Sequence, residues 1–216
     1  MVIFKRKIMT TISYAITACN EHVELERLLD QINEHIRPED EVIVQLDNTA
    51  TDEVKKVANK YNVGTKYEYH RIIFPLNSDF AAFKNNLKQH CTRDYIFFID
   101  ADEYIAEHLL KLLPQVLEHN KVDLISVPRV NTVEGLTEGH IKKWGWFVND
   151  KGWVNFPDYQ TRICKNIPEM RWEGKVHERL TGAKLSSVFP QDLHWSLFHP
   201  KHIDRQEKQN QFYNLI

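Results

Sequence analysis

The stretch Tyr95-Ile-Phe-Phe-Ile-Asp-Ala-Asp-Glu-Tyr104 constrains the fold more than any other part of the chain. Tyr95 to Ile99 run without polar alternation and stop at three carboxylates, Asp100, Asp102 and Glu103. A short continuous apolar run predicts a strand buried on both faces, as in a parallel sheet covered by helices. Open α/β sheets place ligands at the carboxyl ends of such strands. If Asp-Ala-Asp stays extended, the two-residue period of a strand sends both carboxylates the same way. They then repel each other unless a cation lies between them. Magnesium and manganese take such positions, with water and substrate phosphates filling the remaining sites.

The rest of the chain supplies the sheet. Thr11 to Ala18 reads as a first strand, broken by Cys19-Asn20-Glu21-His22. Val23, Leu25, Leu28, Leu29 and Ile32 then recur at helical spacing, with Asn20 as the expected N-cap. Glu41 to Leu46 is a second buried strand ending at Asp47, and Thr51 or Asp52 caps the helix that follows. A third strand is expected over 65–70, helices over 79–90 and 107–118, a strand over 122–127 and a final helix over 203–215. Strands alternating with helices predict a mostly parallel central sheet with helices on both faces. Right-handed crossovers collect Thr17 to Glu21, Asp47 to Thr49 and Asp100 to Glu103 on one edge.

The chain of 216 residues is divided at about residue 130 into two halves of one domain. Residues 1–130 are expected to bind the ligand's nucleotide part. Residues 131–216, rich in Trp, Gly, Asn and Pro, form a smaller acceptor-binding or lid half. Trp144 to Trp153 is the candidate for a lid that excludes water. A net charge of -2 gives no general attraction to nucleic acid or anionic membranes, though Lys142, Lys143, Lys151, Arg162, Lys165, Arg171, Lys175, Arg179 and Lys184 make the second half locally basic. With seven glycines and no Gly-x-Gly-x-x-Gly, neither a dinucleotide fingerprint nor a P-loop is present. No apolar run reaches the roughly 18 residues a membrane span needs. The basic start, Met1 to Met9, lacks a signal-peptide core, and Cys19, Cys91 and Cys164 form no disulfide or zinc pattern. A cytoplasmic location is expected.

Ile16-Thr-Ala-Cys-Asn-Glu21, Val44-Gln-Leu-Asp-Asn-Thr-Ala-Thr-Asp52, Phe83-Lys-Asn85 and Phe98-Ile-Asp-Ala-Asp-Glu103 together resemble the family 2 glycosyltransferases of the GT-A fold. Phe156 to Ile163, Trp172 to Glu178 and Leu197 to His199 are similar to its short bacterial and phage-encoded members. The resemblance implies that Thr17, Asn20, Glu21, Asp47, Lys84, Asn85 and Asp100 line a nucleotide-sugar pocket. It implies that Asp102, with Asp100 and His199, holds a divalent manganese or magnesium ion. His177 competes with His199, and His194 is a weaker rival. Glu178 falls at the position of the family's catalytic carboxylate, followed here by Arg179 rather than the usual Asp; Asp158 is the second choice.

The expected activity is inverting sugar transfer from a nucleoside diphosphate sugar, UDP by default, to a hydroxyl of a glycan or another acceptor. A modified DNA base is the one way nucleic acid enters. The chemistry asks for a cation against the leaving diphosphate, a base for the acceptor hydroxyl and exclusion of water. Arg162 and Lys175 are expected to neutralise diphosphate or a charged acceptor. The alternatives are an inactive nucleotide- or carbohydrate-binding module of the same fold and a nucleotidyltransferase. The missing Gly-rich loop after the first strand disfavours the latter.

Overall fold

The computed structural model describes residues 9–62 and 65–213. Most of the basic start and Leu215 of the expected last helix lie outside them. The chain alternates β1 (Ile12–Ala18), α1 (His22–His35), β2 (Glu41–Leu46), α2 (Asp52–Lys60), β3 (Glu68–Ile73), α3 (Phe80–Gln89) and β4 (Tyr95–Asp100). It continues through β5 (Tyr104–Ile105), α4 (Glu107–His119), β6 (Leu124–Val127), β7 (Arg129–Glu134), α5 (Glu138–Trp144) and β8 (Gln160–Lys165). The last elements are β9 (Arg171–Glu173), β10 (Arg179–Thr181), β11 (Ser186–Val188), β12 (Leu197–His202) and α6 (Ile203–Tyr213).

The central sheet has the order β11-β6-β8-β4-β1-β2-β3. All neighbours are parallel except β8, which runs antiparallel to both β4 and β6. One face packs Ile12, Tyr14, Ile16, Val42, Val44, Phe97 and Ile99 against α1, α2 and α4 through Leu25, Leu28, Val54, Leu109 and Leu113. The other packs Ala15, Ile43, Ile96 and Phe98 against Leu87 of α3 and Trp172 and Leu180 of the β9–β10 hairpin. A strand sandwiched this way is buried at every position, as β2 is, and its polar residues Glu41 and Gln45 survive there by hydrogen bonds to Ser13, Thr92 and the Phe83 carbonyl. Each such aliphatic side chain contributes roughly 1.5–3 kcal/mol by leaving water. Among the described residues, no helix is long and apolar enough to cross a membrane.

Several expected boundaries move. β3 begins at Glu68 rather than residue 65. It is an edge strand, and only Tyr69 of its six residues is buried. At α1 the N-cap is Glu21, not Asn20. The Glu21 carboxylate accepts the backbone N–H groups of Cys19 and Asn20 at 2.7 and 2.9 Å, folding the loop back before the helix starts. Thr51 caps α2 through Val54, and Asp79 caps α3 through Ala82.

A separate three-stranded sheet, β5-β12-β7, stands beyond the end of β4. Within it His199 of β12 is the register partner of Asn131 of β7, and Phe198 of Tyr104. The sequence after residue 130 therefore contributes to both sheets, since β8 lies between β4 and β6.

The β9–β10 hairpin ends on a tight approach. Gly182 has φ 95°, and a Cβ there would lie 1.9 Å from the carbonyl oxygen of Glu169. Gly182→Ala is expected to cost at least the roughly 1–3 kcal/mol of a strained backbone and to loosen this hairpin. Urea unfolding checks it; unchanged stability would mean that this junction yields freely.

Candidate active site

The chain steps outward from β1 to β2 and β3, then returns to β4 on the other side of β1. That reversal opens a crevice at the carboxyl ends of β1 and β4, the place where open α/β sheets bind ligands. Thr17 and Asp100 are register partners there, and the Thr17 hydroxyl donates to Asp100 Oδ1 at 3.1 Å. Asp47, at the end of β2, shapes the neighbouring wall. Its Oδ1 accepts the Thr49 N–H at 2.7 Å and the Thr49 hydroxyl, and its Oδ2 accepts the Leu76 N–H at 2.7 Å. Asn20 is exposed in the loop after β1.

The acidic stretch is not extended. β4 stops at Asp100, and the Glu103 N–H donates to the Asp100 carbonyl at 2.9 Å, closing a turn. The last strand-like bond runs from Ala101 N–H to the Thr17 carbonyl at 3.0 Å, after which the chain leaves for β5 in the other sheet. The carboxylates thus fall into two groups, Asp100 with Glu103 and Asp102 apart, each met by cations of the protein. Arg162 Nη2 bonds Asp100 Oδ2 at 2.6 Å and Glu103 Oε1 at 2.7 Å. Lys84 Nζ stands 3.7 Å from Asp100. Arg129 Nη1 donates to Glu103 at 3.1 Å. Burial pushes the Asp100 carboxyl up, but Arg162 and Lys84 outweigh it and hold it well below the ordinary carboxylate range. The Arg162 side chain is 3% exposed and Glu103 is fully buried. Arg162 is therefore committed to the turn, not presented to a diphosphate.

Asp102 faces His199, with Oδ2 and Nε2 3.1 Å apart. Arg205 of α6 lies 3.3 Å from Asp102 and bonds Glu21 at 2.8 Å and Glu24 at 3.2 Å. Burial raises the Asp102 pKa, while His199, Lys201 and Arg205 bring it below the ordinary range. Among the described residues no three His, Cys, Asp or Glu side chains converge on one point as a closed metal cage.

Opposite this pair, Lys84 Nζ bonds Glu178 Oε1 at 2.6 Å. Lys84 is 6% exposed and also lies 4.7 Å over the Trp172 ring. Its neighbour Asn85 grips the Trp172 backbone in both directions, at 2.8 and 2.9 Å. Lys84 and Asn85 thus dock the hairpin that carries Glu178 onto α3, and Lys84 bridges Glu178 to Asp100. Asp158 sits apart, accepting Arg129 Nε at 2.9 Å, Arg129 Nη2 at 2.8 Å, Asn131 at 2.7 Å and Gln160 at 2.9 Å.

The crevice therefore gathers Thr17, Asp100 and Lys84 with Glu178, and Asp102 with His199, Glu21 and Arg205. Sequence reading missed Arg129, Asn131 and Arg205. A single polar residue on a strand or helix reads as a solvent-facing position, and the partners of these three lie 26 to 184 residues away in the chain.

Replacing Arg162 tests how the turn is held. Arg162→Met leaves Asp100 and Glu103 without their shared cation, an arrangement that costs about 3–5 kcal/mol. Urea unfolding is expected to show that loss, with Glu103→Gln in the same chain recovering part of it. Unchanged stability would assign the turn's support elsewhere.

Comparison with known proteins agrees with this architecture. No curated protein sequence matches the chain. Among solved structures, the 1–349 fragment of S. aureus TarS aligns with a TM-score of 0.59 at 14% identity, over 89% of this chain and 60% of that one. The same fragment in complex with UDP gives a TM-score of 0.61 at 14% identity, again over 89% and 60%. In complex with UDP-GlcNAc it gives 0.62 at 15% identity, over 89% of this chain and 59% of that one. The chain thus spans about 60% of the length of these TarS chains, and at such identity the likeness establishes the GT-A fold. The family model described as glycosyl transferase family 2 matches residues 13–174, the stretch that holds β1, the acidic turn and β8, and the chain belongs to that family.

Proposed function

We propose that the chain is a metal-dependent, inverting glycosyltransferase that moves a sugar from a nucleoside diphosphate sugar to an acceptor hydroxyl. The observation that carries this reading is the crevice itself. It sets an acidic turn and an imidazole on one side, and a carboxylate held by a buried lysine on the other. The TarS complexes with UDP and UDP-GlcNAc support a uridine donor.

Asp102 and His199 fit a divalent cation. Among the described residues a carboxylate and an imidazole face each other with no third His, Cys, Asp or Glu converging on them, as in sites that substrate phosphates complete. The imidazole favours manganese over magnesium. When bound, the ion supplies Lewis acidity toward the negative charge that develops on the leaving diphosphate. Asp100 is assigned to the ribose side of that site, because Arg162 and Thr17 already engage its two oxygens. Thr17, Glu21 and Asp47 line the nucleotide side.

Glu178 takes the acceptor's proton. Its Oε1 is held by Lys84 at 2.6 Å, and its side chain keeps 15% of its surface open, which leaves the carboxylate reachable by an acceptor hydroxyl. Asp158 is poorly placed for that role, since four donors occupy its oxygens. Burial raises its pKa, but Arg129, Asn131 and Gln160 hold it below the ordinary range. In a single displacement the acceptor oxygen bonds the anomeric carbon, the bond to the diphosphate breaks, and the hydroxyl proton passes to Glu178.

The acceptor side is assigned to the aromatic segment after β7. Trp144 and Trp146 lie 4.6 Å apart and Trp153 and Phe156 4.9 Å, with Lys151 over Trp153 and Phe147 66% exposed. Such faces suit a sugar ring, and a bridge from Val154 to Asn131 anchors the segment beside the crevice. A glycan hydroxyl is the acceptor this surface favours.

Calorimetric titration of UDP, GDP, CDP and ADP, with and without manganese, tests the donor site. UDP is expected to bind in a manganese-dependent way, and Asp102→Ala to abolish that dependence. If none of the four binds under either condition, the transferase reading falls. Glu178→Gln is expected to keep UDP binding while lowering turnover about a hundred- to ten-thousand-fold, the usual worth of a placed base. Full turnover in that variant would move the base elsewhere.

A further inference from the structure

The small sheet places Asn131 and His199 side by side, as register partners on parallel strands β7 and β12. Asn131 Oδ1 lies 2.9 Å from His199 Nδ1, and Asn131 Nδ2 donates to Asp158 Oδ2 at 2.7 Å. Donor and acceptor types fix this chain in one sense. An ionised carboxylate only accepts hydrogen bonds, so the Asn131 amide must turn its NH2 toward Asp158. Its oxygen then faces His199, and because that oxygen also only accepts, Nδ1 must carry the ring hydrogen. The other ring nitrogen, Nε2, is left with its lone pair aimed at Asp102 Oδ2, 3.1 Å away. While the ring is neutral, two acceptors converge there, a pairing that a cation or a proton on Nε2 relieves; Arg205 Nη2 lies 3.3 Å from the same Asp102 oxygen.

The chain also has a fixed origin. Arg129 grips Asp158 by two nitrogens and reaches Glu103, which shares Arg162 with Asp100. The same connected network thus holds Asp100 at one end and orients His199 at the other.

We propose that Asn131 and Asp158 are positioning residues that select the His199 tautomer and direct its Nε2 lone pair at a divalent cation shared with Asp102. This deepens the metal-dependent reading and rests on it. Ligands of this kind are tuned by the group bonded to the far nitrogen, and loss of such a partner typically weakens metal binding about 10–100-fold.

Two measurements test it on the full chain, with circular-dichroism melts to confirm folding of each variant. Manganese is titrated in the presence of UDP, free ion being read by electron paramagnetic resonance. Asn131→Leu is expected to weaken manganese binding about 10–100-fold. Asn131→Asp alone sets carboxylate against carboxylate and is expected to weaken it too. Combining Asn131→Asp with Asp158→Asn again offers one oxygen to Nδ1 and is expected to restore most of the affinity, which lost packing alone would not do. If Asn131→Leu binds manganese like wild type while His199→Ala does not, the positioning role is refuted and the metal site stands. If wild type binds no manganese with UDP, the metal reading fails and this proposal goes with it.

The second measurement needs no metal. Nitrogen-15 spectra of labelled histidine, taken where the ring is neutral, report which nitrogen carries hydrogen. Wild type is expected to show hydrogen on Nδ1 of His199, and Asn131→Leu to lose that preference. Hydrogen on Nε2 in wild type would overturn the proposal whatever the metal does.

Discussion

Arg162 between Asp100 and Glu103 is the interaction on which the crevice depends. Carboxylates are seldom fully buried without a partner, and Glu103 has no exposed surface. Removing the Glu103 carboxylate from water costs several kcal/mol, and a guanidinium that meets it at 2.7 Å and the half-buried Asp100 at 2.6 Å offsets that cost. A single nitrogen, Nη2, makes both bonds, and the guanidinium stays charged even when buried. Arg129 extends the arrangement to Asp158, so that charge alternates through the protein rather than accumulating at the turn.

That dependence explains why β8 enters the sheet where it does. Asp100 and Glu103 belong to the first half of the chain and Arg162 to the second. The antiparallel strand lying directly against β4 brings the guanidinium to the turn. The neighbouring residues on β8, Ile163 and Cys164, are fully buried in the two opposite faces of the core. The strand that supplies the charge is therefore pinned by hydrophobic packing on either side of it. The hairpin that carries Glu178 is held in a comparable way, by Asn85 on its backbone and by Phe98 against Trp172 with ring centroids 5.2 Å apart.

How much of this could be read in advance follows from the same physics. β1, β2, β4 and helices α1 to α4 were legible because burial on one or two faces imposes a period or abolishes one. β3, on the sheet edge, has only Tyr69 buried, and its start was placed three residues early. β9, β10 and β11 have three residues each, too few for a period to show. In β8 a central arginine reads as a surface position, because its carboxylate partners lie 62 and 59 residues away. The N-cap at α1 misled for a related reason. Asn20 satisfies the local rule, but the Glu21 carboxylate takes the loop's N–H groups and also reaches Arg205, 184 residues later. The Asp-x-Asp stood out in the sequence as a candidate, but its geometry did not, since whether it stays extended depends on the second sheet beyond β4.

That second sheet divides the work of the acidic turn. Asp100 is the last residue of β4 and is held by Thr17, Arg162 and Lys84, all from the large sheet or helix α3 packed on it. Asp102 lies two residues on and answers to His199 and Arg205, which belong to the small sheet and the helix that follows it. A turn closed by one backbone bond of 2.9 Å, from Glu103 to Asp100, joins the two environments. The distance between the Asp100 and Asp102 carboxylates is therefore set by how the two sheets pack, not by the motif alone. Glu103, buried under that turn and bonded to Arg162 and Arg129, is the residue that fixes the angle between them. A conservative change at Glu103 thus alters the spacing of the two carboxylates through Asp100, whose backbone N–H donates to Glu103 Oε2 at 3.1 Å.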